Sequence, residues 1–170
     1  RRAARATSNG RVGLIATEAT VNSRAYDDAF AAAPHIELVS AACPRFVEFV
    51  EAGVTMGGEL LEAAREYLRP IVDAGCDTLI LGCTHYPLLT GVISYVVGDG
   101  VTLVSSADET AKDVYRVLHD RGLARAEASP RPRHRFRVTG DPDVFAELGR
   151  RFLGPEIGSV ETTWSKALTT

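Results

Sequence analysis

The chain has 170 residues, 19 basic against 22 acidic side chains, a formal net charge of -3, 45% hydrophobic residues and 24% charged ones. These proportions describe a globular domain whose core stands on burial alone, and they exclude a disordered tail, a collagen-like fibre and a disulfide-stapled miniprotein. The charge balance offers no surface for nucleic acid or an anionic membrane, and no apolar run approaches the ~20 residues that span a bilayer.

The chain opens on Arg1, not Met, in a basic stretch that leads to Thr7-Ser8-Asn9-Gly10 rather than an apolar signal core. It is therefore expected to be processed or part of something longer. Short apolar runs then alternate with amphipathic segments, which predicts βα units around a mostly parallel sheet. Val12-Gly13-Leu14-Ile15-Ala16 reads as a buried strand, and hydroxyls at Thr17 and Thr20 cap a helix over 17–33, stopped by Pro34. Residues 36–42 form a second strand, broken by Cys43-Pro44. A short helix over 45–52 ends at Gly53. Leu60, Leu61, Ala64, Tyr67 and Leu68 fall at helical spacing in a helix over 59–74, which Pro70 is expected to interrupt or kink. Thr78-Leu79-Ile80-Leu81 is the best candidate for a central strand buried on both faces.

A helix over 86–97 follows, with Pro87 in its first turn. Residues 101–104 form a strand, and Ser105-Ser106 cap a helix to about 120. Residues 124–133 read as a linker. Arg135-Phe136-Arg137-Val138-Thr139 alternates as an edge strand does, and Asp141-Pro142 starts a helix to about 153. Arg131, Arg133, Arg135 and Arg137 are read as a solvated charge run, and residues 162–170 as a frayed tail.

Three cysteines, Cys43, Cys76 and Cys83, make no disulfide framework and no CxxC pair, so a reducing cytoplasm is the simpler compartment. Cys76 and Cys83 sit at opposite ends of one strand, ~20 Å apart at ~3.3 Å per residue, which speaks against a shared metal site. Cys43 and Cys76 are read as packing residues.

Gly82-Cys83-Thr84-His85-Tyr86-Pro87 falls where a buried parallel strand ends and a helix begins, the edge at which open α/β sheets bind ligands. Gly82 permits close approach of backbone or ligand. Cys83 lies near backbone N–H groups and a helix dipole, which favour thiolate. His85, two residues on, is placed to move a proton, and Thr84 to hold a carboxylate. The spacing leaves two readings open: a reactive thiol in a cleft, or a small packing side chain beside a solvated histidine. Thr17, Thr20 and Ser23 have the same double use, as caps or as donors to an anionic ligand. Glu48 and Glu51 are either solvated or face a substrate ammonium. Ser105 and Ser106 are read first as caps.

The run from Cys76 through Cys83-Thr84-His85-Tyr86-Pro87-Leu88-Leu89 resembles the second cysteine signature of the glutamate racemases, in the cofactor-independent aspartate/glutamate racemase superfamily. Gly13-Leu14-Ile15-Ala16-Thr17-Glu18-Ala19-Thr20, Cys43-Pro44-Arg45-Phe46-Val47 and Ser105-Ser106-Ala107-Asp108-Glu109-Thr110-Ala111 extend the likeness, in the family's order, from about residue 11 to 161. The resemblance implies a pair of three-layer α/β lobes and racemisation of glutamate by two cysteines on opposite faces of Cα. It implies Cys83 as the second of them, His85 as its assistant, and Thr84, Thr17, Thr20 and Glu51 around the substrate. It implies no metal, pyridoxal phosphate or nucleotide, and a frequent homodimer. The family's Asp-Ser-Gly and Ala-Cys-Asn-Thr motifs do not occur here. The expected organisation is therefore a second lobe over 8–104, a segment over 105–161 that returns to a first lobe absent from this sequence, and the tail. Such a chain alone is expected to be inactive. An aspartate racemase, a non-catalytic binding domain and, more remotely, a Cys-His hydrolase are the alternatives.

Overall fold

The computed structural model describes residues 2–126, 129–130 and 132–163. It divides into two compact units, which part between Ala124 and Arg125.

The first unit is built on a four-stranded parallel sheet in the order β2-β1-β3-β4, where β1 is Arg11–Ala16, β2 Glu37–Ala42, β3 Thr78–Leu81 and β4 Thr102–Ser105. Side chains alternate across such a sheet, and here both faces are covered. Ile15, Leu79 and Leu81 point into one core with Phe46, Phe49 and Val50 of α4 (Pro44–Glu51), Leu60, Ala64, Leu68 and Ile71 of α5 (Gly58–Asp73), and Ile93 of α6 (Thr90–Val97). Val12, Leu14, Ala16, Ile80 and Val104 face the other core. There they meet Ala3 of α1 (Arg2–Ala6), Val21 of α2 (Glu18–Asn22), and Tyr26 and Phe30 of α3 (Ala25–Phe30). The expected three-layer parallel α/β architecture is the one observed. The last helix of this unit, α7 (Ser106–Asp120), follows β4; the Ser105 side chain accepts from the Asp108 N–H, the expected cap.

The strand order has a consequence for function. From β1 the chain crosses outward to β2, then returns past β1 to place β3 on its other side. The connections after β1 and β3 therefore leave the sheet in opposite directions, and the C-terminal ends of these two strands mark the switch point at which open α/β sheets form their ligand crevice. Gly82 lets this edge close tightly. A Cβ there would stand 2.8 Å from Leu14 Cδ1 and 3.1 Å from the Ile15 carbonyl oxygen.

Several expected elements are corrected. The helix over 17–33 is two short ones, because Ser23 closes α2 and Arg24 takes a left-handed φ of 56°. The Ser23 hydroxyl donates to the Thr20 carbonyl, a local bond that competes with helix propagation. The expected helix over 59–74 is α5, and Pro70 does not interrupt it, since it runs on to Asp73. Pro70 and Glu66, whose carbonyl loses its helical donor, both lie on the exposed face of the helix. The helix over 86–97 begins as a 3-10 turn, Tyr86–Leu89, and becomes α-helical only at Thr90. The helix dipole invoked for Cys83 thus starts seven residues beyond it. The basic lead contains α1, too short to show a period and held by burial of Ala3.

The second unit pairs β5 (Phe136–Val138) in parallel with β6 (Val160–Thr162), joined through α8 (Pro142–Leu153). Asp141 caps α8 by accepting from the Asp143 and Val144 N–H groups. β6 reaches Thr162, the first residue of the expected tail; three residues carry too little pattern, and pairing with β5 makes the strand. From residue 164 the expected tail lies outside the described residues. Arg133, Arg135 and Arg137 are exposed, and Arg137 pairs with Glu161 at 3.4 Å; Arg131 lies outside the described residues.

Candidate active site

Four loops leave the C-terminal edge of the sheet, and each carries a residue singled out by the sequence. Cys43 follows β2, Thr17 follows β1, Cys83 follows β3, and Ser106 follows Ser105 at the end of β4. The β1 and β3 loops flank the crevice.

Thr17 caps α2, and its hydroxyl lies 3.0 Å from that of Thr20. Both side chains are partly exposed. Capping and facing the crevice are therefore compatible uses, since one hydroxyl of the pair retains lone pairs.

Cys83 is the one cysteine of the three that is not buried. Its Sγ lies 3.9 Å from His85 Nδ1, and the Thr84 hydroxyl lies 3.5 Å from the same nitrogen. The other ring nitrogen, Nε2, is 3.3 Å from Glu51 Oε1 at the C-terminal end of α4. The His85 side chain is 23% exposed and that of Glu51 47%, so solvent screens this pair only in part. Carboxylate, imidazole and thiol thus form a line. A carboxylate on one ring nitrogen fixes the orientation of the ring and leaves the other nitrogen facing the sulfur. Glu48, one turn earlier on α4, is exposed.

The remaining cysteines are unsuited to proton transfer. Cys43 is fully buried, and burial, with the nearby Cys83 as a smaller influence, pushes its thiol up to about 12. Cys76 enters β3 from the opposite edge of the sheet, and burial followed by the carboxylates of Glu37 and Asp77 raises its pKa. Among the described residues no cluster of three or more His, Cys, Asp or Glu side chains is placed to hold a metal ion. Nor is any helix there long and apolar enough to cross a membrane.

Sequence reasoning missed how the site loop is held. Tyr86 is fully buried, and its hydroxyl donates to the Cys43 carbonyl at 2.8 Å, across 43 positions of sequence. The Ser106 hydroxyl donates to the Leu81 carbonyl at 2.7 Å, anchoring the end of β3 just before the loop. Neither bond leaves a local signal.

The model of the Asp/Glu/hydantoin racemases matches residues 1–114. The chain belongs to that family. It is 70% identical to the glutamate racemase of Acidothermus cellulolyticus over 162 residues, which is 95% of this chain and 62% of that relative. It is 55% identical to the glutamate racemase of Mycobacterium leprae over 161 residues, 95% of this chain and 59% of the other. Among solved structures, glutamate racemase from Francisella tularensis in complex with D-glutamate superposes with a TM-score of 0.82 at 35% identity, over 91% of this chain and 58% of that one. Isoform RacE1 from Bacillus anthracis gives 0.80 at 33% identity, over 98% and 61%. The chain therefore spans about 60% of the length of these relatives.

Proposed function

We propose that the protein to which this chain belongs is a glutamate racemase, and that Cys83 is one of its two proton-transferring thiols. The observation that carries the reading is the line Glu51–His85–Cys83 at the sheet's crevice, ending on the one cysteine that is not buried. As a thiolate, Cys83 takes the α-proton: the Cα–H bond breaks, an S–H bond forms, and the electron pair stays on the substrate. A second thiol on the opposite face, which neither Cys43 nor Cys76 is placed to supply, then gives its proton to Cα. In the reverse direction Cys83 is the donor.

His85 is proposed to hold the Cys83 proton in play, and Glu51 to orient His85. Thr84, Thr17 and Thr20 are proposed to donate hydrogen bonds to the substrate carboxylate, the group that must carry charge as the α-proton leaves. The proposed organisation is a second lobe over 8–104 and a return segment over 105–161. Its proposed setting is the cytoplasm, supplying D-glutamate for peptidoglycan, with a homodimer as the assembly to test by light scattering.

The test is Cys83→Ala in the longer protein, with formation of D-glutamate and exchange of deuterium at Cα as readouts. Loss of at least ~10³-fold with an unchanged circular dichroism spectrum is expected. Full activity would remove Cys83 from the mechanism. Running L-aspartate in parallel decides substrate class; faster turnover of aspartate would overturn the glutamate assignment.

A further inference from the structure

We propose that Tyr86 is a positioning residue, whose buried phenol fixes the 82–87 loop against α4 so that His85 stays between Cys83 and Glu51. The proposal rests on the reading of Cys83 as the reactive thiol.

Tyr86 and His85 are consecutive, yet they engage opposite ends of the same helix. The Tyr86 hydroxyl reaches the carbonyl of Cys43, the residue before α4, while His85 reaches Glu51, the last residue of α4. An eight-residue helix is about 12 Å long. Any slide of the loop along α4 must therefore disturb both contacts together. The two contacts differ in stiffness. The His85–Glu51 pair is 3.3 Å long with Glu51 half exposed, so it turns the imidazole but does not by itself hold the backbone of the loop in place.

The Tyr86 contact is a dry 2.8 Å bond, and its ring stands edge-on to Phe46 at 5.3 Å and 87°. Phe46 in turn stands edge-on to Tyr67 of α5 at 5.5 Å. The phenol thus ties the loop into the core, and the imidazole inherits its place from it. Sulfur and imidazole are 3.9 Å apart, at the limit of a useful contact, so a small displacement is enough to uncouple them.

The variant Tyr86→Phe isolates the hydroxyl. The ring still packs, and the Cys43 carbonyl keeps the Phe46 N–H at 3.2 Å, so the fold survives. Among the described residues, His85 and, behind it, Glu51 face the thiol, with Cys43 and Tyr86 on the core side. Burial raises the last two, Cys43 to about 12 and Tyr86 well above the usual phenol range, so neither changes charge between pH 6 and 9. A difference from the parent in the pH dependence of thiol reactivity over that window therefore reports the placement of His85.

The experiment is alkylation of Cys83 by iodoacetamide in the 170-residue chain between pH 6 and 9, read by peptide mass spectrometry, with buried Cys43 and Cys76 as internal references. His85→Gln is expected to slow alkylation at pH 7 about threefold or more, and less at pH 9. Tyr86→Phe is expected to reproduce that pH-dependent loss while Tm stays within about 3 °C of the parent. Leu68→Val, a change in the same core that leaves both partners of the Tyr86–Cys43 bond in place, is expected to lower Tm with the profile unmoved. If Tyr86→Phe matches the parent while His85→Gln does not, the positioning role is refuted and the reading of the site stands. A rate lowered equally at every pH, or a profile change shared by Leu68→Val, makes Tyr86 merely structural and also refutes it. If neither His85→Gln nor Tyr86→Phe alters the profile, the His85–Cys83 pairing fails, and the positioning role with it.

Discussion

Gly82→Ala is the substitution whose cost the structure lets one work out most directly. The new methyl would lie 2.8 Å from Leu14 Cδ1, 3.1 Å from the Ile15 carbonyl oxygen and 3.2 Å from Ala16 Cβ. Leu14 is 1% exposed and has little space into which to turn. The Ile15 oxygen is backbone and already accepts from the Gly82 N–H at 2.8 Å, so it cannot retreat without breaking that bond. Overpacking of this kind costs about 1–3 kcal/mol. Against it stand about 0.4–1 kcal/mol from the stiffer unfolded chain, since Gly82 is not at a positive φ and alanine adds no backbone strain. The midpoints of these ranges leave a net loss of about 1.3 kcal/mol, or a Tm lower by roughly 3–5 °C in a domain of this size. The methyl also levers β3 and its loop away from β1, so Cys83 alkylation at pH 7 is expected to change along with Tm. Thermal melts of parent and variant, followed by far-UV circular dichroism, are the assay. An equal or higher Tm would show that the strand ends are not in the close contact on which the crevice argument depends.

Three further outcomes follow from particular residues. Partial burial disfavours the charge on Asp77, but donors across Thr7 to Asn9, including the Ser8 hydroxyl at 2.7 Å and the Ser8 and Asn9 N–H groups at 2.7 and 2.8 Å, hold its carboxyl well below the usual 3.8. A depressed folded-state pKa contributes stability above the unfolded value and loses it as pH falls, so Asp77→Asn should cost about 1 kcal/mol at pH 7, with the gap to the parent closing from about pH 4 downward. A gap that melts show to be constant from pH 7 to pH 3 would contradict this. Glu51→Gln in the longer protein should lower kcat by about tenfold or more with a smaller change in KM, because the carboxylate acts through His85; steady-state kinetics with L-glutamate check it. The 170-residue chain by itself should show no conversion of L- to D-glutamate by chiral chromatography, since its one partly exposed thiol serves a single face of Cα; measurable turnover would mean that a second proton donor lies within it.

The parallel sheet was legible because its evidence is local. Thr78-Leu79-Ile80-Leu81 is a short apolar run between turn residues, and it is the strand buried at all four positions. Capping oxygens on the side chains of Thr17, Ser105 and Asp141 sit where the chain chemistry asks for them. The order of the strands is different in kind. No pattern in the sequence says that β3 lies beside β1 rather than β2, yet that choice opens the crevice beside Cys83 and Thr17. The break at Arg24 and the 3-10 turn at Tyr86 were hidden for a related reason, since local hydrogen bonds divide these helical stretches and periodicity does not see them.

By itself, then, the amino-acid order determined the layers, the buried strand, and which residues at its end have the chemistry to move a proton. It also carried, through Cys83-Thr84-His85-Tyr86-Pro87, the likeness that pointed to a racemase. Tertiary structure alone decided that Glu51 meets His85 across 34 positions and that Tyr86 reaches Cys43 across 43. It decided, too, that of three thiols two are sealed in the core or at the wrong edge. Burial is the physical reason. A cysteine's reactivity depends on the water and charge around it, and those are set by whatever the rest of the chain packs against it.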